Sequence, residues 1–163
     1  MNSEIWEIID ENGIGTGKFC KRCERETIPE GLFHAVVEVW VRVGDKLFLT
    51  QRHPDKWAGL MWEASGGAAL AGERLTESAV RELAEETGIS VSEDALIYLG
   101  KSARGKSLIF SYLTVLDELP KISLQDTEVV DSVLADEDTV ASMWESLTEG
   151  TRERYTLYKN YFI

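Results

Sequence analysis

The alternation of apolar and polar residues predicts that β-strands form much of this chain. Residues 33–43 (FHAVVEVWVRV) alternate along their whole length, which is the pattern of a strand with one face turned towards a core. The apolar face comprises Ala35, Val37, Val39, Val41 and Val43, and the other face His34, Val36, Glu38, Trp40 and Arg42. The Gly44-Asp45 pair predicts a hairpin turn that leads into a partner strand over 46–51.

The N-terminal segment predicts a second hairpin. Residues 4–9 (EIWEII) indicate a short strand, and the D-E-N-G sequence at 10–13 is typical of a turn. Residues 15–23 would form the returning strand, followed by a charged, loop-like stretch up to Gly31. We therefore expect an N-terminal β-hairpin before the long strand.

The second half of the chain predicts a third pair of strands, over 95–100 and 108–116, joined by a basic loop at 101–107. A further strand is expected near 129–134. Asp136, Asp138 or Thr139 could cap a helix running to about residue 148, and 152–158 is also expected to be helical.

One segment between the strands has the periodicity of a helix. Thr76 is a good N-cap residue and Gly88 a good residue just after a helix, so we predict a helix from about Glu77 to Thr87. One side of it is a mostly apolar stripe made by Val80, Leu83, Ala84 and Thr87. That stripe would pack against a sheet.

The opposite side of this helix carries three carboxylates. Glu82, Glu85 and Glu86 fall on one face because they are three and four residues apart. Like charges at this spacing near a helix C-terminus are unfavourable by a few tenths of a kcal/mol each. One interpretation is an acidic helix face that is simply exposed to solvent. The other is a binding site for Mg²⁺ or Mn²⁺, which prefer oxygen ligands.

The full spacing around these acids resembles the Nudix box, G-x5-E-x7-R-E-U-x-E-E-x-G-U, where U is aliphatic. The stretch 67–89 matches it at every fixed position: Gly67, Glu73, Arg81, Glu82, Leu83, Glu85, Glu86, Gly88 and Ile89. The resemblance implies an α/β fold, a Nudix α/β/α sandwich with a mixed β-sheet, an N-terminal β-hairpin and C-terminal helices. It also implies one Nudix hydrolase domain over residues 1–163.

The resemblance further implies a metal-dependent hydrolase that cleaves a diphosphate bond in a nucleoside diphosphate-linked or related small molecule. The cofactor would be Mg²⁺ or Mn²⁺, held by Glu82, Glu85, Glu86 and the backbone carbonyl of Gly66. Gly67, Glu73 and Gly88 match positions that support the box, and Arg81, which we count with the catalytic residues, matches the partner of Glu73. The general base differs among family members, and here the candidates are Glu82 and Glu128, the latter in a loop at 125–128.

Three cationic or aromatic residues are candidates for contacts with the substrate. The loop 52–61 is rich in proline, glycine and cations, so Arg52 could hold a phosphate and Trp57 could stack on a base. Arg104 in the basic loop could reach the diphosphate. The alternative is that Trp57 packs against the protein and the cations are solvated. His34 is expected to be a core or rim histidine more often than a ligand.

Composition narrows the classes of function. A net charge of −12 argues against binding a nucleic-acid polymer, and it means that metal and local cations must attract an anionic substrate. No apolar run is long enough to span a membrane, and no signal peptide is evident, so we expect a cytoplasmic protein.

The cysteines, Cys20 and Cys23, form one C-x-x-C pair without a second, which supports neither a zinc ribbon nor a disulfide framework. Nudix proteins are often dimers, so a homodimer is compatible with the resemblance.

Two other functions compete with hydrolysis. Residues 4–130 look like the Nudix subgroup related to isopentenyl-diphosphate isomerase, but that enzyme needs a cysteine in an N-T-x-C-S-H-type segment after the loop tryptophan. Here the corresponding stretch, 63–67, is E-A-S-G-G. A non-catalytic Nudix domain that senses a ligand would typically have lost box glutamates, whereas this chain retains them.

Overall fold

The fold is organised around one mixed sheet, and the computed structural model describes residues 4–163 of it. In the described residues the strands are β1 (Ile5–Ile9), β2 (Gly15–Lys21), β3 (Phe33–Val43), β4 (Lys46–Arg52), β5 (Trp62–Glu63), β6 (Ser65–Ala68), β7 (Ile97–Arg104), β8 (Ser107–Leu116) and β9 (Val129–Ala135). The helices are α1 (Leu75–Thr87), α2 (Glu137–Ser142) and α3 (Glu149–Tyr158). Short 3₁₀ turns cover Arg22–Thr27, Glu93–Ala95, Trp144–Ser146 and Lys159–Tyr161.

Strand β3 connects the parts of this sheet. Along one edge it pairs in parallel with β8, from His34 opposite Ser107 to Val43 opposite Leu116. Along the other edge it pairs antiparallel with β1, then β6, then β4. Because Glu38 on β3 lies opposite Gly66 on β6, the middle of β3 runs beside the start of the glycine-rich box.

Helices cover both faces of the sheet. The apolar face of β3, including Val37 and Val39, packs with Ala79 and Leu83 of α1 in one buried cluster. Trp40, on the opposite face, packs with Val140 of α2 and with residues of and after α3 in another cluster. The predicted α/β architecture, with a mixed sheet and C-terminal helices, is therefore confirmed.

The strongly alternating segments were predicted closely. Strand β3 has the predicted bounds, and β1, β4, β8 and β9 lie within a residue or two of their predicted positions. The returning strand of the N-terminal hairpin is shorter than predicted, since it ends at Lys21 and Cys23 lies in a 3₁₀ turn. The charged stretch up to residue 31 is therefore partly structured.

The predicted basic loop at 101–107 is wrong. Residues up to Arg104 belong to β7, which pairs with β8 as far as Arg104 opposite Ser107, so the turn is confined to Gly105 and Lys106. Backbone pairing determines the structure here, and cationic side chains are well tolerated on an edge strand. The consequence is that Arg104 has a fixed backbone position beside the start of β8, which in turn pairs with the start of β3.

Two helix boundaries also differ from the predictions. Helix α1 begins at Leu75, two residues before the predicted Glu77. The Arg74 N–H donates to Glu77 Oε2 (2.8 Å), while Thr76 donates to Glu93. Its C-terminal residue Gly88 has φ 76°, as predicted for a left-handed cap. Asp136 does cap α2, but this helix ends at Ser142 instead of residue 148.

Candidate functional site

A cleft of about 900 Å³ opens over the middle of β3, between α1, α3 and the segments that follow β2, β4 and β8. Its acidic lining residues within the described chain are Glu4, Glu38, Glu63, Glu82, Glu85, Glu86 and Glu128. The basic ones are Arg22, Arg25, Arg52, Lys56, Arg81, Arg104 and Arg154. Most of the residues that the sequence singled out are thus brought together, although many are far apart in the chain.

The pair Glu73 and Arg81 fixes the loop that precedes α1. Arg81 donates through Nε to Glu73 Oε1 (2.7 Å) and through Nη2 to Oε2 (3.0 Å), a bidentate contact. Ser78 Oγ and the Leu70 N–H donate to the same carboxylate, at 2.6 and 3.0 Å. Although burial opposes ionisation, the hydrogen bonds from Arg81, Ser78 and Leu70 lower the pKa of Glu73 to about 2. Glu73 therefore stays charged and immobilises the loop.

Among residues 4–163, no positively charged side chain pairs directly with the carboxylate of Glu86. Its residue is only 5% exposed, and its Oε2 accepts one hydrogen bond, from the Gly66 N–H at 3.3 Å. Burial raises the pKa of Glu86 to about 8, with smaller contributions from Glu63 and Glu82. A crowded, buried acid of this kind is a place where a cation would relieve an electrostatic penalty.

Glu82 and Glu85 lie on the same helix, nearer to Arg81. Arg81 Nη1 donates to Glu82 Oε1 (2.8 Å) and to Glu85 Oε2 (3.3 Å). Burial raises the pKa of Glu82, although Arg81 opposes that effect. Glu82 is mostly buried whereas the Glu85 side chain is about half exposed, so α1 presents carboxylates at different depths in the cleft.

Two glycines allow the box to approach its neighbours. A Cβ at Gly67 would lie 2.5 Å from the carboxylate carbon of Glu82, so any side chain there would push that carboxylate away. A Cβ at Gly66 would collide with the Val37 carbonyl on β3. Gly66 is therefore required by strand packing and Gly67 by the acid on α1.

The loop after β4 is held from both sides of the cleft. Arg52 donates to Glu63 Oε1 (2.6 Å) and to the Trp57 carbonyl (2.8 Å), and Lys56 pairs with Glu128. The Trp57 side chain is 73% exposed at the cleft, which does not fit the alternative that it packs against the protein. Arg52 lines the cleft but already has a carboxylate partner.

Glu128 lines the cleft from a loop attached to the C-terminal end of α1. The Gln125 N–H donates to the Glu86 carbonyl (3.0 Å) and the Glu128 N–H to the Gln125 carbonyl (2.8 Å), so this loop is anchored to the end of the helix. The third predicted substrate residue, Arg104, also lines the cleft. Its guanidinium contacts Glu149 and Glu153 of α3, at 2.6 and 3.2 Å.

Sequence reasoning missed several residues of the cleft. Glu63 is partly buried, and desolvation raises its pKa although Arg52 opposes the effect. Glu38 is buried on β3 and accepts hydrogen bonds from Arg154 of α3 and from Ser111 of β8. A carboxylate in the middle of a strand was the only signal for Glu38, and no local pattern identified Arg154.

His34 is a buried rim residue, as its sequence context favoured. It stacks on Trp6 with ring centroids 4.0 Å apart and hydrogen-bonds Ser107 Oγ at 2.9 Å. Burial, with the nearby Arg25 charge, lowers the pKa of His34 to about 4, so it is neutral at pH 7. It lines the cleft from the start of β3, next to Trp6 of the N-terminal hairpin.

The donor set suits a hard divalent cation, although the acids are not arranged around a single point. Within residues 4–163, no three acidic, histidine or cysteine side chains converge as a bound metal requires. Arg81 holds Glu82 and Glu85 while Glu86 lies deeper. Carboxylate oxygens facing an open cleft are nevertheless the ligands that Mg²⁺ and Mn²⁺ prefer. The residues therefore fit such an ion by charge and chemistry.

Comparison with known protein families assigns the chain to a class. A profile of the NUDIX domain matches residues 32–160, which is most of the chain and includes α1 and the cleft. The chain therefore belongs to the Nudix family of hydrolases, enzymes that act on phosphorus anhydrides. The N-terminal hairpin lies outside the matched residues.

Individual relatives are distant. An uncharacterised Nudix hydrolase of Clostridium acetobutylicum is 29% identical over 164 residues, which cover 92% of this chain and 78% of that protein. Nudix hydrolase 3 of Arabidopsis thaliana is 33% identical over 99 residues, covering 58% of this chain and 13% of that much longer protein.

Solved structures share the fold. A Deinococcus radiodurans protein matches 94% of this chain and 98% of its own with a TM-score of 0.74 and 18% identity. A bifunctional NMN adenylyltransferase/ADP-ribose pyrophosphatase of Francisella tularensis, complexed with AMP and a manganese ion, matches with a TM-score of 0.68 and 21% identity. That match covers 80% of this chain and 42% of the Francisella protein.

Proposed function

We propose that the protein is a divalent-metal-dependent hydrolase that cleaves the diphosphate bond of a small molecule, such as a nucleoside diphosphate linked to a second group. The observation that carries this proposal is the burial of the Glu86 carboxylate next to other acids. It is a buried carboxylate beside Glu63 and Glu82, with a single long hydrogen bond, at a cleft large enough for such a ligand.

Glu82, Glu85, Glu86 and the carbonyl of Gly66 would hold Mg²⁺ or Mn²⁺. When bound, the metal would neutralise phosphate charge and favour ionisation of an attacking water. The chain supplies the orientation: the bidentate pair between Glu73 and Arg81 fixes the loop against α1. A rigid site of this kind contributes to catalysis by positioning the reacting groups.

The proton of the water would pass to a carboxylate, and Glu128 is our choice over Glu82. Glu128 lines the cleft from the loop attached to the end of α1, and its partner Lys56 is also a cleft residue. Both acids have a cationic partner, so the choice rests on Glu82 being proposed as a metal ligand. Glu128→Gln should therefore lower kcat by about 10²–10⁴-fold with metal binding unchanged; a variant with wild-type kcat would transfer the role to Glu82.

The substrate would be a soluble small molecule. Trp57 is exposed at the cleft and Arg52 and Arg104 line it, which supports contacts with a ring and with phosphate oxygens. The overall charge of −12 disfavours a nucleic-acid polymer. In the described residues no helix is long and apolar enough to cross a membrane. A cytoplasmic location and a homodimer remain part of this proposal.

The isomerase alternative is disfavoured by the positions of the cysteines. Cys20 is buried with Trp6 and Ile28, and neither Cys20 nor Cys23 lines the cleft. The segment that would carry the catalytic cysteine, 63–67, contains none. Isopentenyl diphosphate should consequently not be isomerised.

A substrate panel with a matched variant tests the hydrolase proposal. Nucleoside di- and triphosphates, nucleotide sugars, ADP-ribose, dinucleoside polyphosphates and isopentenyl diphosphate would be incubated with Mg²⁺ or EDTA, and phosphate-containing products measured. We expect Mg²⁺-dependent cleavage of one class, nearly abolished in Glu86→Gln because an amide is a poor metal ligand. Glu145→Gln is the control, since Glu145 is 91% exposed and lies outside the cleft. Ligand-induced thermal stabilisation without cleavage would instead indicate a sensor.

A further inference from the structure

Helix α3 delivers an arginine into the cleft at the level of the box. Arg154 lines the cleft, and its side chain is 12% exposed. Its Nε donates to Glu38 Oε1 at 2.8 Å. Glu38 lies opposite Gly66 in the pairing of β3 with β6, and Gly66 in turn touches the Glu86 carboxylate. Arg154 is therefore anchored one strand away from the carboxylates of α1.

Glu38 is itself held rigidly. Its second oxygen accepts hydrogen bonds from Trp40 Nε1 and Ser111 Oγ, both at 2.8 Å. With three donors on one buried carboxylate, Glu38 has little freedom, and it fixes the orientation of the guanidinium. A buried ion pair is often no more stable than apolar residues of similar volume, so stability alone does not account for it.

The terminal nitrogens of Arg154 are available to a ligand. Within the described part of the chain, Nη1 and Nη2 have no hydrogen-bond partner, whereas Arg81 and Arg104 use both of theirs on carboxylates. The guanidinium lies against Gly150, one turn earlier on α3, where a Cβ would be 3.0 and 3.2 Å from the two nitrogens. The absence of a side chain at Gly150 thus leaves room for the planar guanidinium of Arg154.

We propose that Arg154 is an anion-binding residue of the cleft, which holds phosphate oxygens of the substrate across from the carboxylates of α1, and that Glu38 positions it. A guanidinium held through Nε presents both terminal nitrogens in parallel, which matches two phosphate oxygens. This inference rests on the proposed function for its ligand, but binding can be measured separately from cleavage.

The proposal can be tested by measuring the affinity for methylenediphosphonate, a diphosphate analogue with a non-hydrolysable bridge. The affinity would be measured by calorimetric titration in the presence of Mg²⁺. Arg154→Gln should weaken binding by roughly 10- to 100-fold, the value of charge-assisted hydrogen bonds. Arg154→Lys should also bind weakly, because a lysine ammonium would pair with Glu38 and lacks the fork. Arg152→Gln is the matched control, since Arg152 is two residues away on α3 and pairs with Glu145 outside the cleft.

Gly150→Ala separates binding from folding. Alanine favours the helix over glycine, so the thermal midpoint should not fall through helix propensity. Its methyl group should nevertheless displace the Arg154 guanidinium and weaken the binding of methylenediphosphonate several-fold. For a cleavable substrate, the same variant and Glu38→Gln should raise KM more than they lower kcat, with partial recovery in Glu38→Asp, a pattern that a purely structural role would not give.

The outcomes distinguish the two proposals. Wild-type affinity in Arg154→Lys and Gly150→Ala, both folded, would overturn the role of Arg154. Binding that depends on Arg154, in a protein that cleaves no diphosphate, would overturn the hydrolase proposal and still support this inference.

Discussion

The ion pair between Glu73 and Arg81 offers a quantitative test of how the box is held together. Replacing Glu73 with glutamine keeps the shape of the side chain but removes the charge that Arg81 contacts through two nitrogens. The amide cannot accept the bidentate contact and the hydrogen bonds from Ser78 and Leu70 equally well. The variant should therefore lose stability and loosen the loop before α1.

The magnitude follows from the pKa of Glu73. Burial alone would raise it, but the hydrogen bonds from Arg81, Ser78 and Leu70 outweigh that effect and bring it from its ordinary value of 4.5 to about 2. This difference corresponds to about 3 kcal/mol in favour of the folded state. Because both side chains are partly exposed, at 25% for Arg81 and 22% for Glu73, we expect about 2–3 kcal/mol.

The sign of the pH dependence can be stated. A carboxyl group whose pKa is lower in the folded state stabilises that state fully above its unfolded value, about 4.5 here, and the stabilisation is lost as the pH falls through about 2. At pH 3 roughly half of it should remain. Glu73→Gln should accordingly destabilise the protein much more at pH 7 than at pH 3.

Urea denaturation of the wild type and of Glu73→Gln, at pH 7 and pH 3, measures this difference. The control is Glu145→Gln, because Glu145 forms an exposed ion pair with Arg152 and should change the free energy of unfolding by less than about 0.5 kcal/mol at either pH. A Glu73→Gln penalty of the same size at both pH values would refute the assignment of the stabilisation to the ionised carboxylate.

Two further predictions concern the cleft. Gly67→Ala should lower activity more than tenfold while changing stability by less than about 1 kcal/mol, because its methyl displaces only the end of Glu82; Gly66→Ala should unfold more easily because its methyl meets the backbone of β3. Urea denaturation and enzyme kinetics would be measured for both variants. The prediction would be contradicted if Gly67→Ala lost stability and Gly66→Ala lost only activity. Trp57→Ala should leave stability within about 0.5 kcal/mol and raise KM roughly two- to tenfold, with Leu157→Ala, also exposed, as control. An unchanged KM would remove Trp57 from substrate binding.

Local patterns were enough to predict the parts of the fold that local chemistry determines. The alternation in 33–43 fixed the bounds of β3, because a strand with one buried face leaves a period of two in its own sequence. The Gly88 cap likewise needed no tertiary information. The start of α1 was not predictable from Thr76 alone, since Thr76 instead donates to Glu93, seventeen residues away.

The rest of the site depends on contacts that a single sequence does not reveal. Glu38 and Arg154 are 116 residues apart and meet only because β3 and α3 pack together. Glu63 follows an unremarkable tryptophan, and its raised pKa arises from burial in the folded cleft. Arg104 was predicted to reach a diphosphate from a loop, yet strand pairing places it where it contacts Glu149 and Glu153.

The balance of charge has a kinetic consequence for an acidic protein with an anionic substrate. The whole chain carries −12, but among the described residues the cleft is lined by seven acidic and seven basic side chains. Repulsion therefore comes mainly from charges outside the cleft.

Salt should reduce this repulsion. The Debye length, beyond which charges are largely screened from each other, is about 30 Å at 10 mM ionic strength and about 10 Å at 0.1 M. Moderate salt should therefore remove the repulsion by distant charges and leave the contacts in the cleft. With Mg²⁺ held constant, kcat/KM should rise roughly two- to fivefold between 10 and 100 mM KCl, and NaCl should act alike while sucrose should not. A steady fall in kcat/KM over that range would show that attraction by the cleft cations outweighs the field of the rest of the protein.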